Sequence, residues 1–387
     1  MEHQPLLELQ RNSSHSHLLS LDVVSSDHFS ELDADEQAAV RSLVQTLSTL
    51  AQSITDTRQQ LYALTSLAQA YQAMGDSETA VTLLDTVVAS LISTDELDLE
   101  SRIYLQIEIA QGYVAAGRSS MAVSLLQEVL ILSVPFGATD QEDRYSFILS
   151  RVVAVVATLP AQQQGFQLLT SILDVVPDIP RLTSQARLLG NIVNVVATWS
   201  DPSAQSYQAQ VLSDVIAQAQ AGVLMISQES ISIYFDPWAE MLVQVANVAG
   251  TLPDISQAEF LLETLSMFDY GSAYPIYRVD TLNAIARAYS HLEASQKGLA
   301  TLTDSVAAMQ DISQISWYVE RHYAAATIAD QLGDFQLRDQ LISQANDSLI
   351  DHVALEPDSG GVSSQTLAKM SYSVSQFQNP ADTRDSS

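Results

Sequence analysis

The chain has 387 residues, 47% of them hydrophobic, so a large core is within reach; 16 basic against 46 acidic residues give a formal charge of −30. That balance repels polyanions, which excludes nucleic acid as a main ligand and disfavours anionic membranes. The absence of cysteine excludes a disulfide framework, a thiolate metal site and a cysteine nucleophile, and aromatics at 7% in an Ala-, Leu-, Val-, Ser- and Gln-rich mix suit helices better than strands.

Residues 1–30 are polar and aperiodic, with no basic stretch followed by an apolar one, and are expected to form a disordered segment. His15, His17 and His28 stand in it without partners at ligand spacing, so no metal site is expected. No run approaches the roughly 20 apolar residues of a membrane span, and a cytoplasmic location is expected. Residues 31–57 carry the stripe Val40, Leu43, Leu47, Leu50, Ile54, with Asp33 or Asp35 as its cap. This reads as a capping helix that covers the first hairpin of a longer array.

The array itself shows as self-similarity. The stretch LTSLAQAYQAMGDSETAVTLLDTVV from Leu64 aligns without gaps on QIEIAQGYVAAGRSSMAVSLLQEVL from Gln106. Ala68, Tyr71, Gly75, Ala80 and Leu84 recur as Ala110, Tyr113, Gly117, Ala122 and Leu126, each 42 residues on. Leu64, Leu67, Ala68 and Tyr71 mark one face of a helix, Gly75 falls where a left-handed C-cap is wanted, and Ala80, Leu83, Leu84 and Val87 form a second stripe. One such helix–turn–helix cannot bury its own apolar face, so copies must stack.

The pattern resembles the tetratricopeptide repeat in degenerate form. Leu64, Leu67, Ala68 and Tyr71 take the Trp, Leu, Gly and Tyr slots of the first helix, and Ala80 and Leu84 the Ala and Phe slots of the second. The Trp and the closing Pro are missing, and 42 residues exceeds the usual period of about 34; HEAT-like repeats have similar lengths. Fainter copies follow, with first slots at Leu149, Leu189, Leu242, Leu282 and His322, and copies three and five share the turns Thr158-Leu159-Pro160 and Thr251-Leu252-Pro253. The expected fold is all-α, a right-handed solenoid of about seven antiparallel helical hairpins over 58–355, one cooperative unit. An apolar insertion near 222–237, with Ile231, Ile233, Tyr234 and Phe235 and then Trp238, reads as a loop folded across the array, and 356–387 as a tail with a short helix.

Motifs for chemistry are lacking: there is no HExxH, GxSxG, GxxxxGK[ST] or strand-borne GxGxxG. The acidic clusters around Asp95–Glu100 and Asp140–Asp143 suit loop solvation and helix capping and do not match a calcium loop. No enzyme activity and no cofactor are expected.

The resemblance implies that the first helix of each hairpin lines a concave groove. The positions two before and five after each first slot would face it. The first series is Tyr62, Tyr104, Phe147, Arg187, Glu240, Asp280, Glu320, and the second is Gln69, Gln111, Ala154, Asn194, Asn247, Arg287, Thr327. Aromatics offer contact area, amides can bond an extended backbone, and carboxylates would favour a basic segment. The expected function is a non-catalytic scaffold or adaptor for a protein or peptide that is basic or mixed apolar and basic. Two alternatives stay open: a sensor module with a small ligand near 222–238, and an α/α-toroid enzyme, which would need paired carboxylates and an aromatic-lined cavity.

Overall fold

The computed structural model describes residues 26–137, 142–160, 162–199, 201, 204–229, 235–268 and 275–355, and among these it is all-α. Helices α1 (Ser26–Glu31) and α2 (Ala34–Gln52) precede seven hairpins. These are α3 (Thr57–Ala73) with α4 (Ser77–Ser93), α5 (Leu99–Ala115) with α6 (Ser119–Gly137), α7 (Glu142–Val156) with α8 (Gln162–Val175), and α9 (Leu182–Ala197) with α10 (Gln205–Glu229). Then come α11 (Phe235–Ala249) with α12 (Ile255–Ser266), α13 (Pro275–His291) with α14 (Ser295–Met309), and α15 (Ile315–Gln331) with α16 (Phe335–Leu355). Contacts divide the chain into two compact units, Met1–Pro135 with Thr158–Ala161, and Phe136–Ala157 with Gln162–Ser387, where the sequence suggests a single array.

Two kinds of turn close the hairpins. Gly75, Gly117 and Gly333 have φ between 72° and 82°, the left-handed region that glycine enters without steric cost. Each is followed by an amide that reaches back five residues: Asp76 to Tyr71, Arg118 to Tyr113 and Asp334 to Ala329, at 2.7–2.9 Å. The α13–α14 turn makes the same bond, Ala294 to Tyr289 at 2.9 Å, with Glu293 at φ 57° in the glycine's place. The middle hairpins do it differently. Thr198 and Thr251 end their helices with the hydroxyl donated to the carbonyl three residues back, Val195 and Val248. The next residue, Trp199 or Leu252, then turns inward and is buried, as is Leu159 at the corresponding place after α7. Trp199 thus stands in a leucine slot, a match that its size hides in the sequence.

Aspartates start many of the helices. Asp33, Asp56, Asp76, Asp98, Asp254 and Asp334 each accept a hydrogen bond from a backbone amide of the first turn, and Asp33 forms a reciprocal capping box with Glu36. Part of the acidic surplus therefore does structural work. The bond from the Ser101 amide holds the Asp98 carboxyl below the usual carboxylate range.

Most of the slots that define the repeat are in the core, while Tyr71 and Leu83 are half-buried. Leu64, Leu67, Ala68, Ala80 and Leu84, and their partners Ala110, Tyr113, Ala122 and Leu126, are all buried. Tyr113 also donates its hydroxyl to Asp85 of the preceding hairpin at 2.6 Å. In the larger unit the first helices stack in sequence, α7 on α9, α11, α13 and α15, and α8, α10 and α12 pack in a second row. α10 is 25 residues long, so much of the insertion extends a helix; residues 230–234 lie outside the described residues, as do the expected tail and residues 1–25. Trp238 is fully buried against α10 at Gly222, where an added Cβ would stand 2.3 Å from its ring.

Three expectations need correction. The capping helix α2 packs on α3, but it buries Val44 and Ala51 while Leu43 and Leu50 are 57% and 56% exposed. The inward stripe is Val40, Val44, Leu47, Ala51, offset from the one that composition favours. Helix α1 begins at Ser26, inside the segment expected to be disordered. Finally, α6 is long and apolar enough to cross a membrane by length and composition; 39% of that window is buried, with Ala122, Leu126 and Val129 in the core.

Two substitutions test this register in opposite directions. Ala122→Glu places an unpaired carboxylate at a fully buried slot and should lower unfolding stability by more than about 2 kcal/mol. Glu293→Gly relieves a left-handed residue on the surface and should raise it by about 0.5–1 kcal/mol. Denaturant titration reads both, and a near-neutral Ala122→Glu would contradict the packing described.

Candidate interaction surface

None of the fourteen positions in the two series is buried. Phe147, Ala154, Arg187, Asn194, Glu240, Asn247 and Thr327 are exposed, and Tyr62, Gln69, Tyr104, Gln111, Asp280, Arg287 and Glu320 are half-buried. Their neighbours at the apolar slots of the same helices are in the core, for example Leu189, Ile192 and Val193 between Arg187 and Asn194. The two series therefore share one face of the first helices. Gln69, Gln111, Asn194 and Asn247 keep their amides out of the fold: none has a hydrogen bond among the described residues.

In the smaller unit, Tyr62 of α3 lies among charges from α3 and α5. Burial, and then the Glu108 carboxylate, push its phenol up to about 12, with Arg58 opposing. Asp98 and Tyr104 also contribute, and Arg58 pairs loosely with Asp98 at 3.8 Å. Tyr62 thus remains a proton donor at any ordinary pH. Gln72 ties the same two helices by donating to the Ala115 carbonyl at 2.7 Å.

In the larger unit, polar contacts one repeat apart tie successive first helices together. Asn191 donates to Ser150 at 3.3 Å, Tyr277 donates to Asp236, and Arg321 grips Asp280 through Nε at 3.0 Å and Nη2 at 2.9 Å; each pair is 41 residues apart. Gln244 of α11 leans over α9, its Oε1 3.4 Å from where a Cβ on Gly190 would stand. Among the described residues the second-row helices have one such tie, Lys297 of α14 to Glu259 and Glu263 of α12 at 3.0 and 2.9 Å.

The Arg321 contacts change the reading of the acidic positions. Arg321 also meets Glu320 at 3.1 Å, and its side chain is only 18% exposed. Two of the three carboxylates expected to receive a basic segment, Asp280 and Glu320, are therefore neutralised within the fold, and only Glu240 is left exposed. The sequence held the signal: an Arg one repeat after an Asp, on a wall where equivalent positions touch. Arg151, Asn191 and Gln244 also belong to this wall and escape the two series, because all three lie two residues after a first slot.

Close by, His322 fills its slot completely buried, with Nδ1 at 2.8 Å from the Tyr318 carbonyl and Nε2 unpaired. Burial holds it below its ordinary value of 6.5, so it is neutral at pH 7. Among the described residues no group of three or more His, Asp or Glu could hold a metal ion.

Two measurements follow. In a double-mutant cycle, Asp280→Asn and Arg321→Gln should couple by about 1 kcal/mol, because the pair is forked and partly shielded. For His322 the unfolded state binds the proton more readily. Stability should therefore be constant well above pH 6.5, fall as pH drops below it, and level off below the folded-state value. His322→Gln should flatten that segment of the stability–pH curve.

No protein-family model and no curated protein matches the chain. Among solved structures it is similar to a circular tandem repeat protein with novel repeat topology (14% identity, 83% of this chain and 90% of that one, TM-score 0.48). It is also similar to Ton1535 from Thermococcus onnurineus NA1 (12%, 79% and 84%, TM-score 0.35). A third is a Podosopora anserina protein described as kinesin light chain nearly identical TPR-like repeats (20%, 77% and 99%, TM-score 0.21). With its own slots buried and its own turns closed as described, the chain is an all-α protein of repeated helical hairpins.

Proposed function

We propose that the chain is a non-catalytic interaction module in which the first helices of each unit hold an extended segment of another protein. The observation that carries this reading is two pairs of amides, Gln69 with Gln111 in the smaller unit and Asn194 with Asn247 in the larger. They recur at one position of the repeat, lie outside the core, and have no hydrogen bond among the described residues. Amides spaced by one repeat can satisfy the backbone of an extended chain, which offers donors and acceptors at every residue. Aromatic positions at Tyr62 and Tyr104 in the smaller unit, and at Phe147 in the larger, add contact area without much loss of side-chain freedom.

Site-specific photo-crosslinking in cells that make the protein tests it. A crosslinker at Asn194 or Gln111 should give discrete products with a partner protein, and one at Thr86 on the outer face of α4 should not. Asn194→Ala with Asn247→Ala should reduce the product several-fold at unchanged thermal stability, since surface changes of this kind are usually within about 0.5 kcal/mol. The same products from Thr86 as from Asn194 would remove the wall from consideration.

A further inference from the structure

The larger unit contains a stretch whose charge opposes that of the whole chain. Between Arg144 and Trp199 there are four arginines, no lysine, and only two acids, Asp174 and Asp178, in a chain of −30. Asp174 lies on α8 close to Asp214 of α10, and Asp178 lies on the short 3-10 turn after α8, near Tyr145 of α7. Arg144 and Arg181 have partners. Arg151 and Arg187 form no ion pair among the described residues, although the chain has 46 carboxylates to offer. Arg151 is half-buried, and its Nε is shielded from solvent without a hydrogen-bond partner. A guanidinium left in that state is costly, and an anion that reached it would recover the loss.

Their placement is fixed by the stacking of α7 on α9. Asn191 donates to Ser150, the residue before Arg151, and Arg187 stands one turn ahead of Asn191 on the same face. Both arginines therefore flank one contact between adjacent helices, with Asn194 a turn further on. On the next helix, Glu240 is exposed at the position equivalent to Arg187 and bounds the site on that side.

We propose that the α7–α9 wall binds a carboxylate-rich segment of a partner protein, with Arg151 and Arg187 as the anion-binding residues and Asn194 beside them for its backbone. This rests on the first-helix wall being the interaction surface. It reverses, for this part of the wall, the basic ligand that overall charge suggests. At about 0.1–0.15 M salt the screening length is about 8–10 Å, so the two local cations outweigh the distant carboxylates. A forked guanidinium suits a carboxylate better than a point charge would.

The test uses the full chain and three fluorescent probes at 0.1 M salt: a ten-residue poly-glutamate, a ten-residue poly-lysine and a ten-nucleotide oligothymidylate, followed by anisotropy. Poly-glutamate should bind. Arg187→Gln should weaken it about three- to tenfold, and Arg151→Gln with Arg187→Gln more than tenfold, at unchanged melting temperature. Arg151→Lys keeps the charge without the fork and should recover only part of the loss, which guards against a double variant that folds poorly. Glu240→Gln should tighten poly-glutamate binding by removing the neighbouring carboxylate. The proposal fails if poly-glutamate does not bind, if the arginine variants leave its binding unchanged, or if poly-lysine binding is the one that depends on them. Equal, arginine-dependent binding of oligothymidylate would overturn the carboxylate specificity. If a partner crosslinked at Asn194 binds the arginine double variant normally, the wall stands and its acidic ligand does not. If poly-glutamate binding depends on the arginines while Asn194 yields no crosslink, the broader reading fails and the local site survives.

Discussion

A helical hairpin of about 40 residues has more apolar surface than its two helices can hide from water, and everything else here depends on that excess. Within each unit the first helices carry inward stripes wide enough to meet more than one helix, as α11 meets its partner α12 and the first helices α9 and α13. Small residues at the meeting points, such as Ala68, Ala110, Ala80 and Ala122, let backbones approach, and larger ones would hold them apart. Burial on that side leaves the opposite side of the helix for most of its polar residues. The candidate wall is thus a by-product of stacking: the same register that buries Leu189, Ile192 and Val193 puts Arg187, Asn191 and Asn194 outside.

The two turn types show how one architecture can be reached by different local chemistry. A glycine in the left-handed region satisfies the last carbonyls through a backbone bond. A threonine followed by a buried Leu or Trp satisfies one carbonyl with its hydroxyl and uses the next side chain as an anchor. The first device costs nothing in packing and the second contributes to it, so hairpins of the second kind can diverge further at their other slots. That accounts for the faintness of the middle copies in the sequence.

The elements were legible because stripes of period 3.6 and a register of about 42 residues are both written in residue type. Leu64 to Leu84 and their equivalents showed the hairpin directly. What was hidden involved choices between faces or partners. In α2, two apolar stripes compete, and only contact with α3 decides that Val44 and Ala51 turn inward while Leu43 and Leu50 do not. On the wall, Asp280 and Glu320 look like free carboxylates until Arg321 is seen reaching across 41 residues to hold one and turning to its neighbour for the other. Arg151 looks like any other basic residue until its guanidinium is found without a carboxylate among the described residues. Pairing is a property of three-dimensional register, and composition alone does not carry it.

The extensively packed helix pairs are never more than two helices apart in chain order. Such a topology closes only short loops as it forms, so its folding is expected to be fast for a chain of this size, with structure nucleating wherever one hairpin and its neighbour first meet. The converse also holds. An end hairpin has one neighbour instead of two, and losing it removes no contact from the hairpins beyond the next. Within each unit, unfolding can therefore begin at a terminus and leave the rest standing, so hydrogen exchange along the chain should report a graded profile of protection instead of a single global value.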